Sequence, residues 1–364
     1  MCEDLTIKSM SAVVVTFQSE SVIAKCLDSV LSQSERLEEV IVVDNASTDQ
    51  TIKIVETDYP HVRVIRNRSN VGYGAAVNLA IKSTTSPLVA ILNPDTVLSG
   101  NWVAQTQRAI MSRPACGAVE GKLLLLKEPR ILNCRGSCLN ILGFGCATGY
   151  GEVDRQDEDE HVAAYPSGAA FVIRRAAFDE VKGFDDSYFL YHEDVDLGIR
   201  LYTAGWYVLY TPSAVAYHDF KSTLIPEKVR LLEQNRWSTL AKNMPTDYFV
   251  RVAPLMIVSE LGILVHLSRT GLLSAKARAA AEFVRRLPKT ASVRSRSSRV
   301  GLREAIARGL LTGDFPQIVP KHFGMVRLGE RLTRSYFRAF FEQAQPCFQQ
   351  GSPRETPLLG GERD

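Results

Sequence analysis

Four short runs of β-branched and aliphatic residues, alternating with helical patterns, constrain the fold of this chain most. They occupy residues 12–17, 40–43, 62–65 and 88–92. Runs of this kind, without a regular polar alternation, are typical of strands that are buried on both faces. Residues 22–31 then place apolar side chains at helical spacing. Repeated strand–helix units with short connections predict an α/β fold, with a mostly parallel sheet and helices on both faces.

Polar residues follow several of these predicted strands. Thr16, Asp44 and Asp95 lie at or just after strand ends, and Asn70 opens a glycine-rich turn before a helix. Because ligands of parallel sheets bind beyond the carboxyl ends of the strands, we expect these residues to share one crevice. Two carboxylates there suit a divalent cation and a nucleotide, although Asp95 alone would equally cap the next helix. The turn would let the backbone approach a phosphate, and an ordinary loop would have the same composition.

A second acidic group follows the aromatic run at residues 188–191. Glu193, Asp194 and Asp196 open a predicted helix. Carboxylates favour the positive end of a helix, which explains one or two of them. Three carboxylates beside aromatic side chains also indicate a general base. His218 ends the last strand-like run, where an imidazole serves either as a ligand or as a structural side chain.

Charge divides the chain into two parts. Residues 1–220 hold 19 Lys and Arg against 28 Asp and Glu, a net charge of −9, whereas residues 221–364 hold 24 against 12, a net charge of +12. Residues 252–268 are strongly apolar but fewer than the ~20 that a membrane span needs. Residues 269–308 carry a net charge of +9. Together they predict a helix that packs on the rest of the chain or lies on an anionic membrane surface.

The remaining composition indicates a cytoplasmic protein. The seven cysteines form no CxxC pair, which disfavours a zinc site. Their odd number, and the lack of an apolar segment in residues 1–9, are typical of a reducing compartment. The basic residues do not predict nucleic-acid binding, because residues 284–314 contain no aromatic side chain.

Six motifs, in order along the chain, resemble those of family-2 glycosyltransferases with the GT-A fold. They are VVVTF (13–17), VVDNASTD (42–49), NVGYGAAVN (70–78), LNPD (92–95), SGAAFVIRR (167–175) and GFDDSYFLYHEDVDLGIRL (183–201), followed by His218. The NPD and YxEDxDL forms are most similar to rhamnosyltransferase-like enzymes of bacterial polysaccharide assembly. This resemblance implies an inverting enzyme that moves one sugar from a nucleotide diphosphate sugar to a glycan or lipid-linked acceptor of the cell surface.

The resemblance also implies roles for individual residues. Asp194 matches the catalytic base, and Asp95 matches the metal-binding Asp of the family's DxD element, with Mg²⁺ or Mn²⁺ as the implied cofactor. His218 matches a further metal or diphosphate contact. Asn93 replaces the first Asp of that element, which leaves fewer charges for the metal. The residues implied in nucleotide-sugar binding are Thr16, Phe17, Asp44, Asn70, Gly72 and Asn93, and those implied on the acceptor side are Gly168, Ala169 and Glu193.

The resemblance covers about residues 10–220 and implies a domain organisation. The GT-A catalytic domain would occupy residues 1–220, with a donor half at about 10–100 and an acceptor half at about 101–220. A basic, helical C-terminal extension is predicted at 221–344 and a flexible tail at 345–364. The enzyme is predicted in the cytoplasm, with the extension as the segment that would contact the inner face of an anionic membrane.

Several other functions remain open on the sequence alone. The favoured donor is dTDP-rhamnose, and another UDP- or GDP-sugar is the alternative. A nucleotidyltransferase would carry a glycine-rich phosphate loop, which residues 17–25 lack. A processive polysaccharide synthase would carry a QxxRW element, and QNRW at 234–237 is one residue short. A non-catalytic sugar-nucleotide-binding protein would not require the carboxylates present at positions 44, 95 and 194.

Overall fold

The computed structural model describes residues 9–155, 159–221, 223–294, 311–312, 331 and 333–337. The strands are β1 (Met10–Thr16), β2 (Val40–Asp44), β3 (Arg63–Arg66), β4 (Leu88–Leu92), β5 (Thr96–Leu98), β6 (Cys116–Leu125), β7 (Glu128–Cys134), β8 (Ser137–Asn140), β9 (Gly145–Ala147), β10 (His161–Ala163), β11 (Ala170–Arg174), β12 (Tyr207–His218) and β13 (Leu311–Thr312). The helices are α1 (Ile23–Leu31), α2 (Thr51–Asp58), α3 (Tyr73–Lys82), α4 (Trp102–Met111), α5 (Arg175–Glu180), α6 (Glu193–Thr203), α7 (Pro226–Asn243), α8 (Thr246–Arg269) and α9 (Leu273–Arg294).

Strand order places the polar strand ends at one edge of the large sheet. The path β10-β12-β6-β11-β4-β1-β2-β3 is parallel from β4 to β3, and β11 runs antiparallel between β4 and β6. Thr16 is the register partner of Asp44, so these two polar ends lie side by side. Ala170 pairs with Leu92, so the start of β11 lies beside the end of β4. The direction of β11 therefore brings residues 167–169 to the edge where the parallel strands end.

Two apolar cores cover the two faces of this sheet. Along β1, Ala12 and Val14 pack into one core with α1 and α4, whereas Val13 and Val15 pack into the other with α3, α5 and α6. Each fully buried Val or Ile contributes about 1.5–3 kcal/mol relative to an exposed one. Strands buried on both faces need no polar alternation, which is the pattern seen in the sequence. The predicted α/β architecture with helices on both faces is confirmed.

The segment 127–166 is more regular than its sequence suggests. Its many Gly and Cys residues predict an irregular region, and this prediction is wrong, because the segment contains the short strands β7, β8, β9 and β10. β8 and β9 form a small second sheet with β13. Four glycines with positive φ, Gly136, Gly143, Gly149 and Gly151, interrupt the segment. β8, β9 and β10 have only three or four residues each and are too short to show a period in the sequence.

A group of buried charges, which we call the extension network, joins the three C-terminal helices. It consists of Glu233 and Arg236 of α7, Glu260 of α8 and Lys276 of α9. Arg236 Nη2 lies 2.8 Å from Glu233 Oε2, and Lys276 Nζ lies 2.7 Å from Glu260 Oε2. Burial would raise the pKa of Glu233, but the charges of Arg236 and Lys276 lower it to about 2. The predicted helical C-terminal region is thus present and internally paired.

Helix α8 is longer than the apolar run predicted it to be. It spans 24 residues, and its most apolar window has a mean hydropathy of 1.8 with 22% of that window buried. Among the described residues this is the one helix long and apolar enough to cross a membrane, so the expectation that it falls short was wrong. The exposed side of α8, which we call the α8 apolar face, carries Val250, Ile257, Val258, Leu261, Leu264 and Val265. The predicted tail at 345–364 lies outside the described residues.

Candidate active site

The ends of β1 and β2 form the floor of a cleft. Thr16 and Asp44 are both buried, and the Thr16 hydroxyl donates to Asp44 Oδ1 at 3.2 Å. The backbone N–H of Ser47 donates to Asp44 Oδ2 at 3.1 Å. Phe17 follows β1 and is 49% exposed. A fixed carboxylate beside an exposed aromatic ring suits a planar nucleobase, which needs both hydrogen-bond acceptors and a stacking surface.

The glycine-rich turn lies against the same cleft and requires its first glycine. Gly72 has a φ of +90°, and a Cβ on it would lie 2.5 Å from the carbonyl oxygen of Phe189. Its N–H donates to Asn70 Oδ1 at 3.0 Å, and its carbonyl accepts from Asn45 Nδ2 at 3.1 Å. Asn45 was not predicted; its position directly after Asp44 at a strand end was the available signal.

Asp95 and His218 lie together, as the sequence predicted for two ligands of one cation. His218 Nε2 is 3.4 Å from Asp95 Oδ1, an oxygen that is buried without a hydrogen-bond partner. His218 Nδ1 lies 2.9 Å from Asn133 Oδ1. With Nδ1–H donating to that amide oxygen, a neutral imidazole directs the lone pair of Nε2 towards Asp95. Two electron-pair donors that face each other fit a divalent cation. Among the described residues, no group of three or more His, Cys, Asp or Glu side chains is placed to hold a metal ion.

Residues 167–169 form a strap that several elements hold in place. The Ser167 N–H donates to Glu120 Oε2 at 3.0 Å, and the Tyr73 hydroxyl donates to the Gly168 carbonyl at 2.9 Å. The Ala169 carbonyl accepts the N–H of Asn93 at 2.9 Å. Gly168 and Ala169 of the strap were predicted on the acceptor side, and this bond brings Asn93 beside them. Gly168 N–H in turn points to Asp194 Oδ2 at 3.4 Å, so the strap orients that carboxylate.

Three carboxylates, which we call the cleft cluster, gather here without a cation. They are Glu120, Glu193 and Asp194, and none of them forms an ion pair with a described residue. Burial raises the pKa of Asp194 to about 6. Burial, and then the charge of Asp194, raise the pKa of Glu193 to about 8. Burial also raises the pKa of Glu120 to about 7, against the hydrogen bonds from Ser137 and Ser167. Shifts of this direction prepare a carboxylate to accept a proton near neutral pH.

The turn that leads into α6 is held in a rarely populated conformation. Tyr191 and His192 have φ values of +70° and +68°, in the left-handed region. Asn235 of α7 donates from Nδ2 to the carbonyl of Leu190 at 3.0 Å and to that of Tyr191 at 2.8 Å. Such conformations cost about 1–3 kcal/mol each and persist only where the surroundings hold them. The C-terminal helices therefore help to aim Glu193 and Asp194 into the cleft.

Asp196, the third acidic residue of the motif, points away from the cleft and has a structural environment. It is fully buried, with Arg200 Nε at 2.7 Å, Lys242 Nζ at 2.8 Å and Asn243 Nδ2 at 2.8 Å. Burial would raise the pKa of Asp196, but the charges of Arg200 and Lys242 lower it to about 2. Its role is to join α6 to α7.

Lys228 is a cation near the cleft that sequence reasoning missed. Its ammonium lies 5.6 Å from the ring centre of Tyr191 and 5.7 Å from that of Phe220. Phe220 in turn stacks 5.8 Å from His218. Burial lowers the pKa of Lys228, and in the described part of the chain no carboxylate pairs with it. The ammonium thus lies between the carboxylates at the start of α6 and the Asp95–His218 pair.

Comparison with known proteins agrees with this geometry. The family description "Glycosyl transferase family 2" matches residues 11–182. An N-acetylglucosaminyl-diphospho-decaprenol L-rhamnosyltransferase of Mycobacterium tuberculosis (strain CDC 1551 / Oshkosh) is 32% identical over 238 residues, which cover 59% of this chain and 77% of that relative. This chain belongs to glycosyltransferase family 2.

Two further comparisons, one with a relative by sequence and one with a solved structure, extend this result. The O-antigen chain rhamnosyltransferase RfbN of Salmonella typhimurium is 22% identical over 216 residues, covering 59% of this chain and 67% of RfbN. A crystal structure of GalNAc-T7 with UDP, GalNAc and Mn²⁺ superposes with a TM-score of 0.56 at 13% identity, over 80% of this chain and 58% of that one. The GT-A fold predicted from the sequence is confirmed. The family match ends before α6, so the geometry described above is what assigns Asp194 and His218 to the cleft.

Proposed function

We propose that this family-2 enzyme transfers rhamnose from dTDP-rhamnose to a lipid-linked glycan acceptor, with inversion at the anomeric carbon. The observation that carries the proposal is the 32% identity to a rhamnosyltransferase whose acceptor is a diphospho-decaprenol-linked sugar. The cleft supplies what this reaction needs, because one side has a fixed carboxylate and an exposed aromatic ring and the other has an unpaired, proton-accepting carboxylate.

In the proposed donor site, Thr16 and Asp44 hydrogen-bond the base, Phe17 stacks on it, and the backbone at Asn70 and Gly72 approaches the sugar nucleotide. Asn93 follows β4 and borders the same site. Gly72 and Gly168 leave space because neither carries a Cβ, and a Cβ at Gly168 would lie 3.7 Å from Asp194 Oδ2.

The proposed reaction is a single displacement. An acceptor hydroxyl, placed along the strap at Gly168 and Ala169, attacks the anomeric carbon and forms the new glycosidic bond. The bond from that carbon to the diphosphate oxygen breaks, and the nucleotide diphosphate leaves with the electron pair. Asp194 takes the proton of the hydroxyl. Burial and the charge of Asp194 raise the pKa of Glu193 beside it, which favours the protonated form of that neighbour.

Asp95 and His218 would hold a Mg²⁺ or Mn²⁺ ion in this enzyme. Such a cation, when bound, neutralises charge that develops on a leaving diphosphate. Lys228 adds a fixed positive charge from the protein itself, on the same side of the cleft as His218. Asn133 keeps the imidazole of His218 in one tautomer and orientation.

We further propose that the α8 apolar face lies on the cytoplasmic surface of the membrane, where a lipid-linked acceptor is found. Glu260 of α8 pairs with Arg236 and Lys276, and a helix fixed in this way to two neighbours does not favour spanning. Arg251, Arg269 and Arg278 are exposed on α8 and α9, and each basic side chain near an anionic surface gains about 1 kcal/mol.

A donor screen tests the catalytic proposal. We expect dTDP-rhamnose with Mg²⁺ to raise the unfolding temperature more than UDP- or GDP-sugars, since a ligand at 100 times its Kd stabilises by about 2.7 kcal/mol. Mass spectrometry should then detect one rhamnose added to a prenyl-diphosphate-linked N-acetylglucosamine. Transfer from another sugar nucleotide, with none from dTDP-rhamnose, would contradict the assigned donor.

Vesicle co-sedimentation tests the membrane proposal. We expect binding to anionic but not to neutral vesicles, weakened by salt and lowered several-fold by the double substitution Ile257→Ser and Leu261→Ser. The matched control, Val153→Ser, removes an exposed apolar side chain far from α8 along the chain. Equal binding of both variants and the wild type would show that the face has another partner.

A further inference from the structure

A second cavity, of about 440 Å³, opens beside the catalytic cleft. The segment 185–189 forms one wall, α7 forms another with Lys242, and α9 forms the third with Arg286 and Lys289. Val71 and Phe189 add apolar surface and are 40% and 42% exposed. The walls therefore combine cations with accessible apolar side chains, which suits a ligand with both characters.

The carboxylates of this cavity already have partners, whereas the cations of α9 pair with no carboxylate among the described residues. Asp185 Oδ2 pairs with Lys242 Nζ at 2.7 Å, and Asp186 Oδ1 accepts from Asn78 Nδ2 at 2.7 Å. Arg286 donates from Nη1 to the Ser187 carbonyl at 3.0 Å, which leaves the rest of its guanidinium available. Among the described residues, no carboxylate pairs with Arg286 or Lys289.

Arg286 and Lys289 share one face of α9. Positions 286 and 289 are three residues apart, so their side chains are neighbours on the helix surface. A spacing of this kind lets two cations contact one group with several anionic oxygens, such as a phosphate or a diphosphate. Val71 and Phe189 line the same cavity and expose apolar surface to it. An apolar chain attached to the anion would find these two side chains within the cavity.

A short chain of contacts connects the cavity with the catalytic base. Phe189 lines the cavity, and its carbonyl accepts the N–H of Tyr73 at 3.0 Å. The Tyr73 hydroxyl donates to Gly168, whose N–H lies 3.4 Å from Asp194. The wall of the cavity is therefore joined, through Tyr73 and the strap, to the carboxylate proposed as the base.

We propose that this cavity binds the diphosphate of a prenyl-diphosphate-linked acceptor. Arg286 and Lys289 contact the phosphate oxygens, and Val71 and Phe189 contact the first isoprene units. The inference rests on the proposed function in one respect, since it names the chemical class of the acceptor of that reaction. It assigns to α9 a direct role in acceptor recognition.

Direct binding measurements test the cavity without requiring sugar transfer. Farnesyl diphosphate is titrated into the full chain by calorimetry, with inorganic pyrophosphate and farnesol as separate probes. We expect farnesyl diphosphate to bind more tightly than either fragment. Arg286→Gln and Lys289→Gln should each weaken it about tenfold or more, because hydrogen bonds to charged groups contribute about 1.5–3 kcal/mol. The control Arg285→Gln removes an exposed charge that does not line the cavity, and it should bind as the wild type does.

The outcomes separate this proposal from the function on which it rests. Equal binding of farnesyl diphosphate by the wild type, Arg286→Gln and Lys289→Gln would overturn the subsite, even if the enzyme transfers rhamnose. Pyrophosphate binding as tight as that of farnesyl diphosphate would overturn the lipid assignment and leave a free-phosphate site. Binding of dTDP-rhamnose, measured in parallel, should be unchanged in all three variants. If it weakens equally, the cations belong to the donor site and the proposal is wrong.

Discussion

The cleft cluster and the extension network are both groups of buried charge, and they are built in opposite ways. Glu120, Glu193 and Asp194 meet without a cation, and burial raises the pKa of each. In the extension network, Arg236 and Lys276 pair with both carboxylates, and the pKa of Glu233 falls to about 2. Buried charges that are paired hold helices together, whereas unpaired carboxylates oppose folding and are explained by a reaction that uses them.

The largest effect should come from the base of the cleft cluster. Asp194→Asn removes the proposed proton acceptor but keeps the shape of the side chain, so kcat should fall about 10²–10⁴-fold while dTDP-rhamnose binding persists. Because the lost carboxylate is half-buried and pairs with no described cation, the free energy of unfolding should be unchanged or higher. Kinetics and urea unfolding of the same sample check both parts. Glu193→Gln serves as the matched control, and a larger loss of kcat there would transfer the role of base to Glu193.

The next largest effect should come from the extension network, where the substitution should lower the free energy of unfolding. Glu233→Gln leaves Arg236 and Lys276 short of one negative charge in a buried site, and breaking a buried pair costs about 3–5 kcal/mol of stability. Glu227→Gln, on the same helix, breaks an exposed pair with Arg230 and should cost about 1 kcal/mol or less. Chemical unfolding measures both. Equal stability of the two variants would remove the distinction between paired and unpaired clusters.

Lys228 extends the comparison of paired and unpaired charges, because no carboxylate among the described residues pairs with it. Lys228→Met should raise the KM for the donor or lower kcat about tenfold or more, if the ammonium contacts the diphosphate. The substitution should change the free energy of unfolding little, since it removes a half-buried charge and retains an apolar side chain. Lys221→Met is the exposed control, and Lys228→Arg should restore part of the activity. A pure loss of stability with unchanged kinetics would make Lys228 structural.

The smallest expected effect is on the pH dependence of stability, which should distinguish the two clusters. Glu193 and Asp194 bind protons more tightly when folded, with pKa values of about 8 and 6, so stability is lost as pH rises from about 4 towards 8. Glu233 and Asp196 have lowered pKa values of about 2, and their contribution is present above about pH 4.5 and lost as pH falls towards 2. Urea unfolding across this range should show that the variant Glu193→Gln/Asp194→Asn loses the part of the first dependence that these two groups supply, keeps the part supplied by Glu120, and keeps the second dependence.

The sequence predicted the residues whose positions follow from strand ends. Thr16 and Asp44 end adjacent parallel strands, and Asp95 follows a third, so periodicity alone brings them to one edge. Asp194 required the motif as well, since three carboxylates open the same helix. Only the structure shows that Asp196 differs from its neighbours, because its partner Lys242 is 46 residues away along the chain.

Other residues had weaker signals or none. Glu120 interrupts an apolar run in β6, and a charge in such a run was a signal that could have been used. Asn133 contacts His218 across 85 residues, and no spacing in the sequence connects them. The sequence gives no signal for the ion pairs of the extension network either, because pairs between helices depend on packing angles and not on periodicity.

The contact of Asn235 with the turn before α6 limits how this enzyme can be divided or recombined. A shortened protein that ends after β12 would keep Asp194 and His218 but lose Lys228, and the carbonyls of Leu190 and Tyr191 would lose the amide that holds them. Exchanging the C-terminal helices with those of a relative would have the same result unless the exchanged pieces carry the turn and its asparagine together. Modular engineering of acceptor preference in this chain therefore has to treat residues 190–192 and α7 as one inherited unit.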